Sequence, residues 1–200
     1  MDRAAHHPIA PRALATSIPN ILTYARIAAV PALVACLFLL QGDLARWCAL
    51  TVFIAACITD WLDGYLARIW DQQSALGRML DPIADKLLVG AALIMLVHDN
   101  TIGGWPIWAA VIILSREILV SGLREFLAEL NVKVHVSQLA KWKTMMQMIA
   151  LGVLIAGPAA DKIVPGITTT GTVLLWIAAI LTLFTGYDYL KAAIRHAIES

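Results

Sequence analysis

Charge is what this chain has least of. Only 14% of its 200 residues are Asp, Glu, Lys or Arg, against about 25% in soluble domains, while 60% are hydrophobic. Apolar stretches of about twenty residues recur, the length that a bilayer-spanning helix needs. The net charge of +1 gives no basic field for nucleic acid. Cysteine is scarce. Cys36, Cys48 and Cys57 all fall in apolar runs, with neither metal-site spacing nor the even number of a disulfide framework, and they read as small hydrophobes. The histidines form no HExxH or related zinc pattern. Internal repeats, common in small transporters, are missing as well.

What is present is a set of apolar runs broken by short polar turns. Residues 1–17 form a polar, mildly basic tail with Pro8 and Pro11, expected to be cytoplasmic and with room for an interfacial helix from Arg12 to Thr16. Residues 18–200 read as one membrane domain. The expected helices are about 18–40, 44–68, 75–97, 107–130, 137–156 and 168–191, with a loop at Gly157–Gly166 marked by Pro158 and Pro165. The fold class is therefore all-α: an integral membrane bundle of six transmembrane helices. Six spans put both termini on one side. Of the fifteen basic residues only Arg46 and Lys162 fall on the other side, so the positive-inside rule places the termini in the cytoplasm.

Against this apolar background, residues 60–85 stand out. Asp60, Asp63, Asp81 and Asp85 lie in or beside long apolar runs, where a charge near the bilayer centre costs roughly 2.5–3.5 kcal/mol. Asp60 and Asp63 are three apart and Asp81 and Asp85 four apart, so each pair shares a helix face. Two adjacent helices can aim all four at one spot on the cytoplasmic side. Clustered carboxylate oxygens suit a hard divalent cation, Mg²⁺ or Mn²⁺. Gly64, Ala67 and Gly77 clear space on the same face for a bulky ligand, and Arg68 can reach a phosphate oxygen. Together these residues point to phosphoryl chemistry on a nucleotide-like substrate. A buried ion network, or an acidic filter in a small cation transporter, is the rival reading. Spacing alone does not separate a general base from a metal ligand among the four carboxylates.

From Asp60 to Asp85 the chain reads D-x2-D-G-x2-A-R-x8-G-x3-D-x3-D, which resembles the signature of the CDP-alcohol phosphotransferases. The resemblance implies two metal ions held mainly by Asp60, Asp63 and Asp81. It implies Asp85 as general base, also within reach of the second ion. Gly64, Arg68 and Ser74 would hold the CDP part of CDP-diacylglycerol, with Ala67 and Gly77 giving it room. Asn20 and Thr23 resemble an N-x2-T-x2-R stretch that lies near the nucleotide in relatives and ends here at Arg26; a helix cap at Asn20 with a snorkelling Arg26 is the alternative. A homodimer in a bacterial cytoplasmic membrane is also implied.

A second, basic constellation follows. Arg116 and Arg124 are eight apart, close to one helix face, and Lys141 and Lys143 open the next helix. Snorkelling explains Arg124 and Lys143, with Glu117 and Glu125 as partners, but it explains Arg116 poorly because that residue lies deeper in its apolar run. An anion pocket for the acceptor's phosphate is the functional reading. The Arg-Glu-Ile-Leu-x3-Leu-Arg-Glu and Lys-x-Lys-Thr stretches resemble those of bacterial phosphatidylglycerophosphate synthases, a branch of the same family whose acceptor is sn-glycerol 3-phosphate. Inositol phosphate, serine or phosphatidylglycerol as acceptor is the alternative within the family.

Overall fold

The computed structural model describes residues 18–70, 75–130 and 138–199. They form six helices: α1 Ile18–Leu39, α2 Gly42–Trp70, α3 Ala75–His98, α4 Pro106–Glu129, α5 Gln138–Ala160 and α6 Ile167–Glu199. Among the described residues there is no strand. The tail at 1–17 and its expected interfacial helix lie outside the described residues.

All but α3 are long and apolar enough to cross a membrane, which makes five candidate spans. α3 has the length, at 24 residues, but Arg78, Asp81, Asp85 and Lys86 crowd its first half. The residues that make it interesting are those that deprive it of an unbroken apolar stretch.

Two helix ends differ from expectation. α5 runs through Gly157 and Pro158 to Ala160, where the sequence suggests a loop. Asp161 N donates to Gly157 O at 2.8 Å, so helical bonding continues past the proline, whose missing N–H costs one bond near the helix end. α6 runs on to Glu199, beyond the expected Lys191. Pro82 falls inside α3, and Lys86 Nζ donates to Pro82 O at 2.9 Å.

α1 packs on α2 and α3, α2 on α5, α5 on α6, and α6 on α4, whereas α3 touches α4 and α5 only lightly. The core interleaves Leu33, Phe53, Leu88, Ile113, Leu151 and Leu175 with Ala49, Ala92, Ala109, Ala150 and Ala178. The alanines let backbones approach closely, which is what drives helix association where lipid offers no hydrophobic gain. Thin contact between α3 and α4 leaves a space at the end of the bundle where α1, α3 and α5 begin and α2, α4 and α6 finish.

The opposite end is closed by ion pairs. Arg46 Nη2 bridges Asp99 Oδ2 at 2.7 Å and Thr101 Oγ1 at 2.9 Å, with side chains only 12% and 20% exposed for the Arg46–Asp99 pair. Lys162 bridges Asp43 at 2.6 Å with 65% and 46% exposure. Burial decides their weight. Arg46→Ala is expected to lower stability by about 3 kcal/mol, because Asp99 is left uncompensated. Asp43→Asn is expected to cost under about 1 kcal/mol. Thermal unfolding in detergent checks the contrast.

Candidate active site

Three of the four signature carboxylates lie in the described part of the site, and α1 holds two of them, Asp60 and Asp81. Arg26 is 1% exposed despite its charge. Its Nη1 lies 2.8 Å from Asp60 Oδ1 on α2 and 3.9 Å from Asp81 Oδ1 on α3. Thr23, one turn earlier, donates its hydroxyl to Asp81 Oδ1 at 2.6 Å. A buried guanidinium is tolerated because carboxylates face it. Arg26 therefore does not snorkel; it ties α2 to α3 at the carboxylates. Asn20 and Thr23 are buried beside it on α1.

Asp60, Asp81 and Asp85 face a cavity of about 770 Å³, and so do Arg116, Glu117, Arg124 and Glu125 of α4, Lys143 of α5 and Tyr189 of α6. Three acidic and three basic members of the two constellations, up to 83 residues apart in sequence between Asp60 and Lys143, thus share one chamber. Gly77 is buried in α3. Asp63, Gly64, Ala67 and Arg68 fall in the last turns of α2 and Lys141 in the first turn of α5, with their side chains outside the described residues. Ser74 lies wholly outside them.

On the basic side, Glu117 accepts from Arg116 Nη1 at 3.3 Å and pairs with Lys143 Nζ. Two cations thus share one carboxylate. Arg116 is 9% exposed, which excludes simple snorkelling, and α6 holds its other nitrogens: Nε donates to Thr182 O at 3.1 Å and Nη2 to Thr185 Oγ1 at 2.9 Å. Arg124 lies over the Tyr189 ring at 5.6 Å, within cation–π range. Thr182, Thr185 and Tyr189 were not singled out by sequence reasoning. The available signal was a polar pair at i and i+3 in the last apolar run.

A second cavity, about 580 Å³ and almost wholly apolar, opens between α2 and α5, with Trp61, next to Asp60, in its lining.

A family model for CDP-alcohol phosphatidyltransferase matches residues 16–184. The chain belongs to that family. It is 47% identical over 180 residues to a Rickettsia bellii protein, covering 90% of this chain and 97% of the relative. It is 48% identical over 176 residues to one from Rickettsia typhi, covering 88% and 96%. It is 42% identical over 180 residues to one from Haemophilus influenzae, covering 88% and 93%. All three relatives bear the name CDP-diacylglycerol–glycerol-3-phosphate 3-phosphatidyltransferase.

Among the described residues no three ligating side chains close into a preformed metal cage; the side chain of Asp63 lies outside them. The donor chemistry nevertheless fits a divalent cation. One Arg26 nitrogen already lies 2.8 Å from Asp60 and 3.9 Å from Asp81. A positive centre can therefore approach both carboxylates, one from each helix, and their hard oxygens suit Mg²⁺ or Mn²⁺.

Proposed function

We propose that this CDP-alcohol phosphatidyltransferase moves the phosphatidyl group from CDP-diacylglycerol to sn-glycerol 3-phosphate, giving phosphatidylglycerol phosphate and CMP. The observation that carries the reading is one cavity that Asp60, Asp81 and Asp85 share with Arg116, Arg124 and Lys143. A donor pyrophosphate and a phosphorylated acceptor need those two kinds of group side by side. The printed names of the relatives agree.

In the proposed reaction a hydroxyl oxygen of the acceptor bonds to the phosphorus next to diacylglycerol, and the bond from that phosphorus to the CMP oxygen breaks. Asp85 takes the hydroxyl proton. Arg116, Arg124, Lys141 and Lys143 hold the acceptor's phosphate, and Gly64, Ala67, Arg68, Ser74 and Gly77 surround the CDP moiety, with Asn20 and Thr23 supporting that side. Two Mg²⁺ or Mn²⁺ ions, held by Asp60, Asp63 and Asp81 with Asp85 touching the second, would supply neutralisation of charge on the pyrophosphate and the departing CMP. Beside Asp60, the apolar cavity lined by Trp61 suits hydrocarbon of the lipid substrate.

The test is an acceptor panel with purified protein in detergent. CMP release from CDP-diacylglycerol should require glycerol 3-phosphate and a divalent cation. Release driven by inositol phosphate, serine or phosphatidylglycerol instead would overturn the choice of acceptor, and no release with any acceptor would overturn the proposed reaction.

The same proposal includes six spans, cytoplasmic termini, a bacterial cytoplasmic membrane and a homodimer. α3 then crosses with its charged half inside the bundle, facing the cavity, which is where intramembrane charges are tolerated. In a background lacking Cys36, Cys48 and Cys57, a cysteine at position 72 should be labelled from the cytoplasm and one at Gly103 from outside. Labelling of both from one side contradicts six spans.

A further inference from the structure

Arg116 raises a problem that its own helix does not solve. Glu117 is its sequence neighbour and can collapse onto it, a bidentate pairing that silences an arginine toward any other anion. The structure shows only one guanidinium nitrogen, Nη1, on Glu117. The other two are occupied by α6, through Thr182 O and Thr185 Oγ1. By these bonds one N–H remains on each terminal nitrogen, out of the five that arginine carries.

The contacting residues of α6 are not scattered. Thr182, Thr185, Gly186 and Tyr189 recur at i, i+3, i+4 and i+7, which is one helix face. A β-carbon at Gly186 would lie 3.2 Å from Arg116 Cγ and 3.5 Å from its Nε. A side chain here would therefore press directly on the arginine stem. Tyr189, 4% exposed, sits under Arg124. One face of α6 thus matches both cavity-facing arginines of α4.

We propose that this face of α6 positions the acceptor-phosphate subsite: Thr185 and the Thr182 carbonyl hold Arg116 away from full pairing with Glu117, and Gly186 leaves the room that this pose requires. Thr185 and Gly186 are positioning residues acting through Arg116. The inference rests on the proposed use of a phosphorylated acceptor.

Thr185→Val keeps the shape and removes the hydroxyl acceptor. In steady-state assays of the full chain in detergent it should raise KM for glycerol 3-phosphate on the order of tenfold, the scale of one hydrogen bond to a charged group. KM for CDP-diacylglycerol should move less than about twofold, since binding to that substrate does not pass through Arg116. Thr185→Ser restores the hydroxyl and should return KM for glycerol 3-phosphate to near the wild-type value. Gly186→Ala should shift the same constant in the same direction as Thr185→Val. Thr172→Val is the control on the same helix, because Thr172 bonds within α6 to Thr168 O at 2.9 Å. Unchanged KM in Thr185→Val, or equal shifts for both substrates, overturns the inference. If Thr185→Val does not fold, Gly186→Ala decides: an unchanged KM for glycerol 3-phosphate overturns it. A wild-type chain that ignores glycerol 3-phosphate overturns the proposed reaction and this inference together. A wild type that uses it, with Thr185→Val unaffected, overturns the inference alone.

Discussion

Asp81→Asn is expected to lower turnover by more than about a hundredfold. Loss of a group that merely supports a metal ligand costs about ten- to a hundredfold, and Asp81 is assigned as a ligand itself. The substitution is close to isosteric, and the new amide oxygen can still accept from Thr23, which bonds Asp81 at 2.6 Å. What disappears is the charge. Asp60→Asn should fall as far, although it also removes the charge 2.8 Å from the buried Arg26; Asp81→Asn is therefore the cleaner probe. Asp85→Asn removes the proposed base and should leave substrate binding less affected than turnover. Asp43→Asn, at the far end of the bundle beside Lys162, should keep about half or more of the activity. If Asp81→Asn kept activity comparable to that of Asp43→Asn, the carboxylates would be structural and the metal assignment would fail.

Arg116→Gln should raise KM for glycerol 3-phosphate by about ten- to a hundredfold, the worth of roughly 1.5–3 kcal/mol for a charge-assisted contact, while KM for CDP-diacylglycerol stays nearly constant. The structure sharpens the comparison with lysine. Arg116 meets Thr182 O, Thr185 Oγ1 and Glu117 Oε1 with three different nitrogens. A lysine has one nitrogen and cannot reproduce that fork, so Arg116→Lys should recover only part of the loss. Glu117 remains paired with Lys143 in either variant, which limits the damage to the fold. Arg68→Gln, assigned to the nucleotide side, should show the reverse split, raising KM for CDP-diacylglycerol. Equal effects of both arginine variants on both substrates would mean that they serve the fold.

The helices were legible because a bilayer demands about twenty apolar residues per span, and this chain spends little of its length on anything else. Their limits were less so. Gly157-Pro158 read as a loop because proline lacks a donor, yet α5 absorbs that single loss and ends at Ala160. Asp60, Asp81 and Asp85 could be read as a group because helical spacing survives folding, and all three face one cavity. Their relation to Arg26 could not: the 2.8 Å contact between Arg26 and Asp60 depends on how α1 lies against α2, which no local pattern states. The α6 contacts escaped for the same reason. Thr185 looks like any small polar residue in a membrane helix, where hydroxyls often bond back to their own helix, and it does bond Leu181 O at 3.0 Å. Only the packing of α6 on α4 reveals the second partner.

The most direct measurement follows one oxygen atom. Glycerol 3-phosphate carrying oxygen-18 at its free primary hydroxyl, incubated with CDP-diacylglycerol and the purified protein, reports which phosphorus is attacked. Attack at the phosphorus next to diacylglycerol puts the label in phosphatidylglycerol phosphate and releases unlabelled CMP, which is the expected result. Label joined to the cytidine nucleotide, with phosphatidic acid as the lipid product, would contradict the proposed reaction.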